Sequence, residues 1–114
     1  SDKSERFFAG EIIREKIFLN FEQEVPYCTE VAITEFNETD EIIRMRAEIY
    51  VERDSQKGII IGKGGSALKK LGMESRQAME AFFNKKVFLE THVKVADNWR
   101  KQTDKLKRFG YLDN

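Results

Sequence analysis

The 114-residue sequence holds one cysteine, one proline, one histidine and one tryptophan, carries no net charge and has no long apolar run. Each scarcity excludes something. Cys28 has no partner for an internal disulfide, and Cys28 with His92 cannot supply the ligands of a closed zinc site. A lone cysteine suits a reducing, cytoplasmic setting. The longest apolar run, Gly58 to Gly62, is far short of the roughly 20 residues of a membrane span, so a soluble chain is expected. Lys+Arg 20 against Asp+Glu 20 gives no overall basicity that would mark a nucleic-acid partner. At this length, 40% apolar content builds one modest core, which excludes a multidomain enzyme. The opening Ser1-Asp2-Lys3-Ser4-Glu5-Arg6 has neither Met nor an apolar signal stretch, and a piece of a longer protein is expected.

What is present is unevenly placed. Ser1 to Asp54 carries seven basic and fourteen acidic residues, whereas Ser55 to Arg108 carries thirteen basic and five acidic. A zero total therefore hides a surplus able to raise a local positive potential. Phe8, Ile12, Ile13, Ile17 and Phe18 recur at helical spacing and predict a helix over about residues 5–20, with Asp2 and Glu5 as a capping-box variant. After Pro26, Tyr27, Thr29, Val31 and Ile33 alternate with Cys28, Glu30, Ala32 and Thr34, the pattern of a half-buried strand. A polar turn, Asn37 to Asp40, leads to a second strand with Ile43, Met45, Ala47, Ile49 and Val51 on one face. The two form an antiparallel hairpin with one wet face. Asp54 or Ser55 caps a short helix that Gly62 breaks; a second helix starts at Ser66 with Leu68, Leu71, Ser75, Met79 and Phe82 on one side. Val87 to Val95 alternate as a third strand, and Asp97 caps a last helix over about residues 97–109, carrying Trp99, Leu106 and Phe109 and stopped by Gly110. The order α-β-β-α-α-β-α gives an α+β domain. Its two-helix crossover sets strands two and three parallel and places the helices on one face of a three-stranded mixed sheet.

Three glycines in Gly62-Lys63-Gly64-Gly65 cost backbone entropy that a plain connector avoids. Three chemistries use glycine-rich loops of this kind. A phosphate-cradling P-loop needs four residues before its Gly-Lys pair and a hydroxyl after it; only three isoleucines separate Gly58 from Gly62, and Gly64 follows Lys63. Gly62, Gly64 and Ala67 meet the spacing of a dinucleotide fingerprint, but the chain lacks room for a doubly wound sheet. The third is a loop between two helices that grips nucleic-acid backbone. Bare glycines let the sugar-phosphate chain approach, N–H groups at the next helix favour phosphate, and Lys63 adds a mobile charge.

Ile60-Ile61-Gly62-Lys63-Gly64-Gly65-Ser66-Ala67-Leu68 resembles the V-I-G-x-x-G-x-x-I signature of KH domains, and the element order resembles their type II form. Ser4 to Phe8, Glu11 to Ile17, Tyr50 to Gly65, and Val93 to Val95 with Trp99-Arg100 further resemble the C-terminal region of a family of bacterial ribosome-assembly GTPases. That resemblance implies a single KH domain over 1–114, binding the 3′ end of 16S rRNA during small-subunit maturation and coupled to a GTPase domain of the same polypeptide. It implies GTP and Mg only for that domain, whose motifs this sequence lacks, and peripheral membrane association for the full-length protein. No catalytic residue carries over. RNA contacts fall on Gly62, Lys63, Gly64 and Gly65, with Ile60 or Ile61 as an apolar floor. Ser66, Lys69 and Lys70 would meet phosphates, and Lys85 and Lys86 would form the opposite rim. Bases would be read along the third strand. Lys63 and Gly64, the variable loop positions, should tolerate side chains.

Plainer readings stand beside these. Ile60, Ile61 and above all Leu68 also fit ordinary core, and Lys57, Arg76 and the basic residues from Arg100 to Arg108 fit a solvated face. His92 fits a surface strand, Cys28 simple packing and Trp99 an anchor for the last helix. The rival function is a protein-docking module whose glycines merely allow close helix packing.

Overall fold

The computed structural model describes residues 2–22 and 24–96. The expected last helix, with Trp99 and the Arg100–Arg108 cluster, lies outside the described residues. The elements run α1 (Asp2–Asn20), α2 (Glu24–Tyr27), β1 (Glu30–Glu38), β2 (Ile42–Val51), α3 (Asp54–Ile61), a 3-10 turn (Lys63–Gly65), α4 (Ser66–Phe83) and β3 (Lys86–Val95). The sheet order is β1-β2-β3, with β1 antiparallel and β3 parallel to the central β2. This is the expected three-stranded mixed sheet.

The core forms where the helices cover β2. Ile43, Met45, Ala47, Ile49 and Val51 meet Ile13 and Ile17 of α1, Ile60 of α3 and Leu71 and Met79 of α4, all buried. Each of these side chains other than Ala47 contributes roughly 1.5–3 kcal/mol of burial free energy. Asn20 at the end of α1 donates to Glu74 of α4 at 2.8 Å, tying the two helices together. The α1 stripe is narrower than the sequence predicts: Ala9, Ile13 and Ile17 carry the contact, while Phe8 and Phe18 are exposed.

Two details depart from the simple pattern. The strand expected after Pro26 starts only at Glu30, because Glu24–Tyr27 closes a helical turn in whose first residues proline's missing N–H costs nothing. In β1 the register slips between Ile33, opposite Ala47, and Glu35, opposite Arg46, which leaves Thr34 as an extra residue. This bulge shifts the inward phase by one, so Val31, Ile33 and Phe36 all reach the core.

The sheet's other face is polar. Glu48 is buried to 4% exposure there and is held by Arg46 (2.8 Å) and Lys94 (2.8 Å). Burial alone would push its carboxyl up, but the hydrogen bonds from Lys94 and Arg46 outweigh it and hold it below the usual range. His92 sits on the same face with Nε2 2.7 Å from Glu90, as a surface-strand histidine.

Candidate nucleic-acid interface

Helix α3 starts without the expected help from Asp54 or Ser55. Gln56, itself buried, accepts instead from the backbone N–H groups of Glu52 and Arg53, both at 2.9 Å. The helix ends where Gly62 N–H donates to Gly58 at 2.9 Å, and the chain then takes φ 76° and ψ 176°, a region essentially restricted to glycine. A Cβ at Gly62 would stand 2.6 Å from Ala67 Cβ and 2.9 Å from Ala67 N. Both conformation and space therefore require glycine.

Gly64 (φ 62°) and Gly65 (φ 79°) are also left-handed, with open space around any added Cβ. This corrects the expectation for Gly64, where a side chain has room but incurs backbone strain of about 1–2 kcal/mol. Gly65 N–H is spent on Gly62 O (3.1 Å) and Ser66 N–H on Lys63 O. The N–H groups of Lys63 and Gly64 have no backbone partner among the described residues. Lys63 and Gly64 are exposed, and so are Ser66, Lys69 and Lys70 on the first turns of α4.

From this loop a shallow groove of about 390 Å³ runs between α4 and β3, lined by Gly65, Leu68, Lys69, Gly72, Met73, Arg76, Leu89 and Thr91. Its strand wall has a defined chemistry. Ala96 N–H donates to Val51 O, so the even-numbered residues of β3 bond β2 and the odd ones turn their N–H and C=O groups to the outer edge, which is free among the described residues. Val87 confirms the parity, since its N–H leaves the sheet to meet Glu80 Oε2 at 3.0 Å. Leu89 and Thr91 share that parity. They present a donor and an acceptor each along an apolar groove, with a cation, Lys69, near the loop.

The structure brings Gly65 and Lys69 into this groove; Gly62, Lys63, Gly64 and Ser66 adjoin Gly65 along the chain, and Lys70, also exposed, is outside the lining. It corrects two other assignments. Ile60 is fully buried in the core and cannot be a groove floor, while Ile61 packs half-buried against that core. Lys85 and Lys86 lie past the far end of α4, whose eighteen residues span roughly 27 Å. Lys85 is moreover held by Glu38 (2.6 Å) and the Thr39 carbonyl (2.9 Å). The floor belongs instead to Leu68 and Leu89, flanked by Gly72, Met73 and Arg76. Leu68 packs against the core as periodicity expects and also lines the groove; Arg76, expected in solvent, sits halfway between the two faces of α4, which was the available signal.

A loop of three positive-φ glycines between two helices, set at the end of a groove against a free strand edge, defines a class. Residues 24–100 match the family model of the KH domain, and the chain belongs to the KH domain family. The particular relatives are bacterial GTPases of one name. Over 111 residues the chain is 48% identical to GTPase Era of Stenotrophomonas maltophilia (strain K279a) and to that of Xylella fastidiosa (strain M12), covering 97% of this chain and 37% of each relative. It thus spans little more than a third of the length of the curated relatives it matches. Two solved structures, Aquifex aeolicus Era bound to GDP.AlF4- and Era in complex with MgGDPNP and nucleotides 1506–1542 of 16S ribosomal RNA, superpose with a TM-score of 0.83. Each is 38% identical and covers 94% of this chain and 36% of that one.

Proposed function

We propose that the chain binds single-stranded RNA along the α4–β3 groove, and that its ligand is the 3′ end of 16S rRNA during small-subunit maturation. The carrying observation is the outer edge of β3, where Leu89 and Thr91 turn backbone groups without a partner among the described residues toward an apolar groove that ends at a bare glycine loop. Unstacked bases lie on such apolar walls and hydrogen-bond through their edges, while loop N–H groups and lysines take the phosphates. Likeness to an Era structure holding 16S rRNA nucleotides supports the choice of ligand.

In this reading the chain is the RNA-binding part of a longer GTPase, and GTP with Mg belongs to the part outside these residues. The sequence offers no Gly-x4-Gly-Lys-Ser/Thr loop, so the 114-residue chain neither binds nor turns over GTP. Saturable binding of a fluorescent guanine nucleotide would contradict this.

The test of RNA binding is fluorescence anisotropy with a labelled single strand of the 16S rRNA 3′ end, free and annealed to its complement. The single strand should bind and the duplex should not. Lys63→Asp with Gly64→Asp should abolish binding, because two carboxylates then face the incoming phosphates. Asp is among the residues that tolerate a left-handed position, so the cost to stability is held to about 1 kcal/mol. Unchanged affinity with native circular dichroism would remove the loop from the site.

A further inference from the structure

Arg76 lines the groove beside Leu89 and Thr91, with its side chain 38% exposed. Its Nη1 lies 3.1 Å from Glu80 Oε2, one helical turn on. That same oxygen accepts the Val87 N–H at 3.0 Å. One carboxylate oxygen thus ties the groove's arginine to the first free-edge donor of β3, just before the two residues whose backbone groups stay open. The Glu80 carboxyl is held below its usual range, chiefly by the Val87 N–H and then by Arg76, so it stays ionised throughout the neutral range. An exposed i,i+4 pair contributes little to stability. Its consequence here is geometric: a long, flexible side chain is anchored to both walls of the groove.

We propose that Arg76 is a base-selecting residue of this groove and that Glu80 is the positioning residue that aims it. The proposal rests on the RNA-binding reading and adds which base the groove accepts. With Nη1 committed to Glu80, Nη2 and Nε remain as a planar donor pair beside the open groups of Leu89 and Thr91. A planar donor pair suits a base edge with two adjacent acceptors, such as O6 and N7 of guanine or O2 and N3 of cytosine. Adenine sets its amino group beside N1 and N7 and leaves N3 without a neighbouring acceptor, and uracil flanks its N3–H with carbonyls, so neither offers the pair.

The test uses the 114-residue chain and single-stranded oligonucleotides of the 16S rRNA 3′ end, each position replaced in turn by the four bases. The wild-type chain should prefer guanine or cytosine over adenine and uracil at one position by at least about fivefold. Arg76→Lys, which keeps the charge and loses the fork, should cut that preference below about twofold. Glu80→Gln keeps an acceptor for Val87 N–H and so the melting temperature, but should weaken the same preference. Arg76→Gln should leave the slope of log K against log salt unchanged, as expected of a base contact. A slope flattened by about 0.7 with the preference intact would place Arg76 on a phosphate and overturn the proposal. A wild-type chain that binds without base preference, or an Arg76→Lys chain that retains it, would overturn it as well. Failure of the wild-type chain to bind any single strand would instead remove the RNA-binding reading beneath it.

Discussion

Two glycines of the interface should respond to alanine with opposite sign. At Gly62 the new Cβ meets Ala67 at 2.6 Å on a backbone that side chains do not adopt, so Gly62→Ala should destabilise by about 2–3 kcal/mol. Gly72 lies inside α4, where an added Cβ meets nothing within 4 Å. Gly72→Ala should therefore stabilise by about 0.5–1 kcal/mol through helix propensity. Urea unfolding of both variants measures the difference, and a destabilised Gly72→Ala would show that its space is not open. Gly72 lines the groove, so Gly72→Leu should keep the fold while lowering RNA affinity at least about tenfold, read by anisotropy. Composition alone singled out the Gly62–Gly65 loop, because three glycines in four residues ask for a cause. The role of Gly72 was not legible there, since a single glycine in a helix reads as tolerated until the space beside it is seen.

Across elements, the buried Glu48 couples β2 to the polar face of β3 through Lys94 while Arg46 holds it within its own strand. Its folded-state carboxyl titrates below its unfolded value, so its contribution is complete above about pH 4.3 and is lost as pH falls through the lower folded value. Glu48→Gln should be less stable near pH 7 by about 1–2 kcal/mol, because one of the two cations loses its acceptor and both lose the negative charge, while remaining partly hydrated. The variant should also lose less stability than the wild type between pH 5 and roughly pH 3, measured by thermal unfolding across pH. Equal acid sensitivity in the two chains would take Glu48 out of the account. The elements themselves were largely readable. Alternation in Ile43–Val51 and Val87–Val95 marks β2 and β3 because both keep a single phase. In β1 the Thr34 bulge changes phase midway, and the short α2 turn hides behind a proline that reads equally well as a strand boundary. The four residues of α2 carry too few apolar positions to show a period.

At the scale of the whole molecule the groove was the hardest feature to foresee, because its walls are assembled from Gly65–Arg76 and Leu89–Thr91, elements that touch only after the chain has folded back. The charge division was legible at once but did not say which lysines matter. The structure sorts them. Arg76, Lys85 and Lys94 are tied to Glu80, Glu38 and Glu48, whereas Lys63 and Lys69 stand by the loop and groove with no ion pair among the described residues. That sorting fixes the expected salt response. A KH loop spans about four nucleotides, and each phosphate neutralised on a single strand contributes about −0.7 to the slope of log K against log salt. Three or four contacts give a slope of roughly −2 to −3, whereas engagement of all thirteen basic residues of the second half would give about −9. Lys63→Ala should flatten the slope by under one unit, about 0.7 if it holds one phosphate. Lys85→Ala should leave it unchanged, since Lys85 is occupied by Glu38 at the far end of α4. Anisotropy titrations from 50 to 300 mM salt measure all three chains. A steep wild-type slope with equal affinity for duplex would mean that a diffuse basic surface, not the groove and its glycine loop, holds the RNA.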